Sequence, residues 1–443
     1  MGSHTSTLPG PDDTLRHVLP NGIVVLARAN FASPSVVVHG YLPQAGALHD
    51  PPGKEGLAEF TASMLLRGTH RRSHQQIFDA LESMAANLGF AAHTHSVGIR
   101  GRSLAEDLPA LLELLAEALR EPTFPEDEVE KRRGQVLTGL AIRAQDTAAR
   151  AADAALNALY DGHPYGRSLA QVEQGVRSLT RADLQAFHAR HYTPVGMVLV
   201  IVGAIAPDQA LEQVAATLGD WHGPEPPPAP HLPLVAPPPH EVRREVPLPG
   251  KSQTDIVLAT VGPSRFAADY LPAALGNSVL GRFGMMGRIG EVVREQAGLA
   301  YYAYSSLSGG PGPGPWQIIA GVAPENVAQA LDLIRAELRR FIAEGVTAEE
   351  LADVQSQAIG SLPLELATNA GVAAALAHVE RYRLGLNYYR EYEDRIRAIT
   401  VEDVRQAVQH YWHPGRWTIG IAGPDRASRA HAEPSPKPSE VAS

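Results

Sequence analysis

The stretch SLTRADLQAFHARHYTPVGMVLVIVGAI, beginning at Ser178, is answered 220 positions later by AITVEDVRQAVQHYWHPGRWTIGIAGPD, beginning at Ala398. Thr180 and Thr400, Asp183 and Asp403, Pro194 and Pro414, and Gly203 and Gly423 coincide in that register. Each copy reads as a helix N-cap, a helix, a turn proline and an apolar strand, and such self-similarity at a fixed offset marks a duplicated unit. Between the copies lies GPEPPPAPHLPLVAPPPH, Gly223 to His240, whose dense proline favours an extended, semi-rigid spacer. The expected organisation is a first domain over 14–222, a linker over 223–240, a homologous second domain over 241–425, and a disordered Pro, Ser and Ala-rich tail over 426–443.

Within the first half, GIVVLARAN, SVVVHGYLP and AAHTHSVGIRGRSL read as strands. GLAEFTASMLLRGT reads as a short helix stopped at Gly68, and LPALLELLAEALR as a stronger one. FPEDEVEKRRGQVLTGLAIRAQD opens on Pro125 and the acids Glu126, Asp127 and Glu128, as a long helix should. The pattern predicts an α+β fold: two homologous, duplicated two-layer α/β domains, each a sheet with flanking helices.

Composition removes several function classes. Acidic residues outnumber basic ones by 48 to 38, leaving a net charge of −10 and no basic stripe for a nucleic-acid backbone. The chain has no cysteine, so only His, Asp and Glu remain as metal ligands. No run approaches the ~20 apolar residues of a membrane helix, and no secretory signal is seen, so a cytoplasmic location with no membrane association is expected. Met1-Gly2 with Ser6 fits a short acylation pattern, but no polybasic second signal follows.

In the helix GLAEFTASMLLRGT, Leu57, Phe60 and Met64 form one apolar stripe, while Glu59, Ala62 and Ser63 stand at i, i+3 and i+4. That spacing is the one at which a zinc hydrolase carries H-x-x-E-H. The segment resembles G-L-A-H-F-L-E-H-M-L-F-K-G-T of the family of pitrilysin, insulin-degrading enzyme and mitochondrial processing peptidase. By this resemblance Glu59 stands at the first His, Ala62 at the catalytic Glu and Ser63 at the second His. The third ligand, a Glu in a helix similar to E-K-E-R-G-V-I-L-R-E, falls on Gly139 of EKRRGQVLTG, 76 positions beyond Ser63. With ligands and base gone, this chain alone is expected to hold no zinc and no catalytic residue, and to be inactive by itself. HPYGR, His163 to Arg167, also matches, and the likeness extends from about Leu15 to Pro424.

Other histidines have ligand-like spacing. His93 and His95, two apart on an expected strand, project from one face and could hold a metal with Glu59. Their ordinary reading is a polar strand. His70 with His74, His188 with His191, and His410 with His413 read as solvated helix surface or caps.

EVVREQAGLAYYAYSS, Glu291 to Ser306, resembles the family segment with an Arg and a Tyr seven positions apart, here Arg294 and Tyr301. In the family these reach substrate held at the zinc of the opposing domain, so the resemblance implies substrate binding through a guanidinium fork and a phenol hydroxyl. The plain alternatives are an exposed helix Arg paired with Glu291 and a strand-packing Tyr. GNSVLGRFGMMG and GGPGPGPW read as turns and a mobile loop, with substrate contact open for Gly276 to Gly287. The resemblance thus implies a zinc-free subunit of a heterodimeric metallopeptidase. An H-x-x-E-H partner of similar length would supply the zinc, and peptides or unfolded polypeptides would be the substrate. The rival is an inactive structural or binding homologue, like the core subunits of respiratory complexes.

Overall fold

The computed structural model describes residues 8–284 and 287–425, so the expected tail and the Met1-Gly2 pattern lie outside the described residues. Among them, eleven strands form two sheets. The first contains β1 (Leu15–Val18), β2 (Val24–Ala29), β3 (Ser35–Leu42), β4 (Asn87–Ala92), β5 (Val97–Leu104) and β6 (Val198–Gly203). The second contains β7 (Val242–Pro247), β8 (Thr254–Val261), β9 (Ala300–Leu307), β10 (Pro315–Val322) and β11 (Thr418–Gly423). The order β1-β2-β6-β3-β5-β4 in one sheet and β7-β11-β8-β10-β9 in the other coincide once β1 is set aside. Each has one parallel pair at the same place, β2 with β6 and β7 with β11. The duplication therefore extends through the whole topology.

The first half contains the helices α1 (Leu57–Met64), α2 (Glu126–Arg143), α3 (Thr147–Leu159) and α4 (Arg181–His191). The second contains α5 (Tyr270–Gly281), α6 (Asn369–Arg381) and α7 (Val401–Tyr411). The repeated α4 and α7 open on the same reciprocal cap. Thr180 and Thr400 each accept from the backbone N–H of Asp183 or Asp403 at 3.2 Å, and each Asp carboxylate takes back the Thr N–H, at 2.7 and 2.8 Å. Two orphan N–H groups per helix are satisfied this way. The strands that follow, β6 and β11, are buried at all six positions.

Burial on both faces explains why SVVVHGYL and VLVIVG are apolar runs rather than alternating strands. One face of each sheet is covered by helices of its own half. The other is covered by a helix from the opposite half. Ala151, Ala155 and Leu159 of α3 pack on Val257, Ala259, Val261 and Ala422 of the second sheet. Val372, Ala373, Leu376 and Ala377 of α6 pack on Leu26, Val37, Val198, Val200 and Val202 of the first. Arg16 is held by two hydrogen bonds of 2.8 and 2.7 Å to Glu380, and Asn30 donates to Asn369 at 2.7 Å, along the same seam.

Three local expectations are corrected. His93 and His95 lie in the turn between β4 and β5, where the His93 N–H closes on the Ser96 carbonyl at 2.8 Å, so they share no strand face. Gly276 and Gly281 belong to α5 rather than to a loop, and their lack of a side chain serves close packing: a Cβ at Gly276 would crowd Val404 and Val408 of α7, and one at Gly281 would meet the Ser305 backbone at 2.2 Å. His188 and His191 are not solvated. His191 is 5% exposed, and their rings bond the Leu119 and Gln44 carbonyls at 2.9 Å.

Candidate functional site

The helix α1 runs from Leu57 to Met64, ending four residues before Gly68, which instead bridges to Ser73. Its apolar stripe, Leu57, Phe60 and Met64, is buried in the first core. Gly56, at φ +95°, caps it without a side chain. The orphan N–H groups of its first turn are satisfied from a distance, as Asp50 accepts from Gly56 N at 2.9 Å and Ala58 N at 2.7 Å. Arg167, the last residue of HPYGR, pairs with the same carboxylate at 3.0 Å. Burial pushes the Asp50 carboxyl up to about 6, against the pull of those N–H groups and of Arg167. Asp50→Ala is expected to destabilise the chain by about 3 kcal/mol in urea titration, since it strips the α1 terminus and leaves a half-buried Arg without its partner. A loss below 0.5 kcal/mol would show that α1 is positioned by its apolar stripe alone.

Glu59, Ala62 and Ser63 lie where the spacing put them, Glu59 exposed, Ala62 2% exposed and Ser63 half-buried. Ser63 Oγ donates to the Phe60 carbonyl at 2.7 Å and accepts from Arg132 Nε of α2 at 2.9 Å. A guanidinium thus lies against the atom that stands at a ligand position. Gly139, about two turns beyond Arg132 on the same face of α2, offers no donor, and a Cβ there would meet nothing within 4 Å. The groove between α1 and α2 encloses about 310 Å³ and is lined by Glu59, Phe60, Arg132, Gln135, Gly139 and Arg143, among others. Burial and the neighbouring Arg67 hold the Arg132 guanidinium below its usual range, and Glu59 pulls the other way.

These residues do not fit a zinc ion. The three ligand positions hold one carboxylate, Glu59, a hydroxyl already engaged, Ser63, and a glycine, Gly139, with the Arg132 cation against that hydroxyl, so the two imidazoles and the converging carboxylate that zinc requires are missing. The alternative set does not assemble either. His95 Nε2 is already bonded to the Tyr165 hydroxyl at 2.5 Å. Among the described residues, no three His, Asp or Glu side chains converge on a point that could hold a metal.

In the second half, Tyr301 is the second residue of β9, the edge strand of its sheet, and it is 78% exposed rather than packed. The packed tyrosine is its neighbour Tyr302, whose hydroxyl donates to the fully buried Asp255 carboxylate. Arg294 lies in a π-helical turn, Glu291–Gln296, with Nε 3.4 Å from Glu295. Glu291, the partner that helical spacing suggests, accepts instead from Gln296 at 2.9 Å. The register change in that turn is what moves Arg294 away from it. Arg132 and Arg167 lie inside the matched segments EKRRGQVLTG and HPYGR, yet the match assigned neither a role, and Asp50 lies in no quoted motif.

Residues 26–173 match the model of the insulinase family, peptidase family M16, and residues 178–358 match that of the peptidase M16 inactive domain. The chain belongs to peptidase family M16. An uncharacterized zinc protease of Mycobacterium tuberculosis is 29% identical over 436 residues, covering 94% of each chain. A probable mitochondrial-processing peptidase subunit beta of Arabidopsis thaliana is 26% identical over 214 residues, covering 48% of this chain and 40% of its own. The crystal structure of a peptidase M16 inactive domain from Pseudomonas fluorescens superposes with a TM-score of 0.85 at 27% identity, covering 93% of this chain and 98% of that one. The M16 membership agrees with two homologous α/β units, as the duplicated strand order requires. Among the described residues, no single helix is long and apolar enough to cross a membrane.

Proposed function

We propose that this M16 chain is the zinc-free subunit of a two-chain metallopeptidase, in which an H-x-x-E-H partner carries metal and base. The observation that carries the reading is the asymmetry between halves. At the α1 groove a guanidinium bonds the Ser63 hydroxyl, whereas Tyr301 presents a free, exposed ring at a sheet edge with Arg294 seven residues before it. The likeness to an inactive M16 domain from Pseudomonas fluorescens supports it. In such an assembly Arg294 and Tyr301 bind the substrate peptide and donate hydrogen bonds to the carbonyl oxygen as negative charge develops on it.

The test is to mix the purified chain with an H-x-x-E-H homologue from the same genome and follow cleavage of a quenched fluorescent peptide. Cleavage is expected on mixing and not from this chain alone. Removing one oxyanion donor typically costs about 3 kcal/mol, so Tyr301→Phe and Arg294→Ala should each lower kcat up to ~100-fold with smaller changes in KM. Full turnover by the double variant sinks the assigned roles. Absence of cleavage with every such homologue favours the structural-subunit reading.

A further inference from the structure

The α1–α2 groove has lost the donors of a metal site but has not closed. Its floor is held open by Gly139, whose missing side chain leaves space on the groove side of α2. Its apolar wall is Phe60, Val136, Leu140, Val172 and Val176. Its polar residues are Arg132, Arg143, Gln135 and, on the opposite rim, Glu59.

Arg132 is the unusual member. The other α2 guanidinium beside it, Arg133, is saturated by Glu130 and by the Val176 and Leu179 carbonyls, and Arg67 is paired with Glu128 at 2.8 Å. Arg132 has neutral partners alone: Nε on Ser63 at 2.9 Å and a long 3.5 Å bond from Nη1 to Gln135. Among the described residues, no carboxylate pairs with it within 4 Å, Glu59 acting from further off. A guanidinium carries five N–H donors, and those of Arg132 not taken by Ser63 and Gln135 remain accessible to a ligand. A carboxylate is the ligand that answers both the charge and the planar fork, by two parallel hydrogen bonds.

We propose that this groove has exchanged a metal site for a carboxylate site, in which Arg132 binds an acidic group of a peptide while the adjoining apolar side chain lies against Phe60, Val136 and Leu140. Arg143 adds positive charge along α2, and Glu59 sets polarity by repelling a second acid at the opposite rim. The proposal rests on the zinc-free reading of this groove, and it names the substrate class as peptides with an acid beside an apolar residue. The acid is a side chain or a chain terminus, and the chemistry at Arg132 is the same for both.

Fluorescence anisotropy of the full chain alone, without partner and with chelator present, separates these sources. The probes are fluorescein-labelled Ala-Leu-Glu-Leu-Ala amide, its Gln analogue, and the Gln peptide with a free terminal carboxylate. The Glu amide is expected to bind at least tenfold tighter than the Gln amide. If the free-terminus peptide matches it instead, the acid is the chain end. Arg132→Gln should lose that tenfold preference and Arg132→Lys keep part of it, whereas Arg177→Gln, an exposed helix variant paired with Glu173, changes nothing. Gly139→Leu, which fills the groove and leaves Arg132 unaltered, should abolish binding of every probe and keeps the test valid should Arg132→Gln misfold. Equal binding of the acid and amide probes, or no binding of any, overturns the proposal. Since the binding measurement does not involve the partner, cleavage on mixing together with failed binding removes this inference and leaves the subunit reading intact.

Discussion

A chain carrying Glu59→His, Ser63→His and Gly139→Glu together is expected to bind zinc poorly, and to bind it at least a hundredfold tighter once Arg132→Ala is added. The backbone is ready for the ligands. Positions 59 and 63 are one helical turn apart on α1, and a side chain at 139 grows into empty space. The obstacle is charge. Arg132 Nε is 2.9 Å from the atom that the second imidazole would replace, so its guanidinium lies within ~5 Å of a metal held there. A single positive charge at that distance from a divalent cation costs about 6 kcal/mol at an effective dielectric of 20, and solvent at the open groove reduces this by about half. The remaining ~3 kcal/mol corresponds to about a hundredfold in affinity. Competition against a zinc-chelating dye reads it directly. Equal affinity with and without Arg132 would falsify the electrostatic account, and stoichiometric zinc in the unaltered chain would overturn the zinc-free reading itself.

What the sequence discloses about this fold is what local chemistry specifies. The Thr180–Asp183 and Thr400–Asp403 caps, the turn prolines and the apolar runs of β6 and β11 are written in adjacent residues, so the duplication is legible. The stripe of α1 is legible for the same reason, and so is the loss of donors at Glu59, Ser63 and Gly139. Contacts between distant residues are not. Nothing near Ala151 and Ala155 says that α3 covers the sheet of the other half, because a small-residue helix face suits any close neighbour. The Asp50–Arg167 pair spans 117 positions and the Arg132–Ser63 bond 69, and each closes only when elements far apart in the chain meet. The histidine pairs misled in the opposite sense. Ligand-like spacing was met by a hairpin turn at His93 and by carbonyl partners at His188 and His191, since an imidazole needs only one acceptor to be content in a core.

Gly420→Val should unfold the whole chain, not one half of it. Gly420 lies in β11 beneath α3, and a Cβ there would sit 1.9 Å from the Ala151 carbonyl oxygen and 2.7 Å from the Ala155 nitrogen. Both are backbone atoms of a helix, so no rotamer change relieves the clash, and α3 must lift from the sheet. Overpacking typically costs 1–3 kcal/mol, and lifting a helix whose Ala151, Ala155, Leu159 and Tyr160 are all buried against the second sheet adds a loss of about 4 kcal/mol or more in apolar contact. Such a sum approaches the net stability of an ordinary domain. The exchange of helices spreads the damage. α3 belongs to the first half by sequence and to the second by packing, and α6 stands in the reverse relation, so neither sheet keeps both faces covered when one half opens. Circular dichroism in urea should therefore show one transition in the unaltered chain and little native signal in the variant without denaturant. Gly360→Ala, in an exposed helix position where a Cβ meets nothing within 4 Å, should instead stabilise by up to about 1 kcal/mol. Two separate transitions, or a Gly420→Val chain that keeps half of its native signal, would show that the halves fold independently and that the exchanged helices are bound without being required.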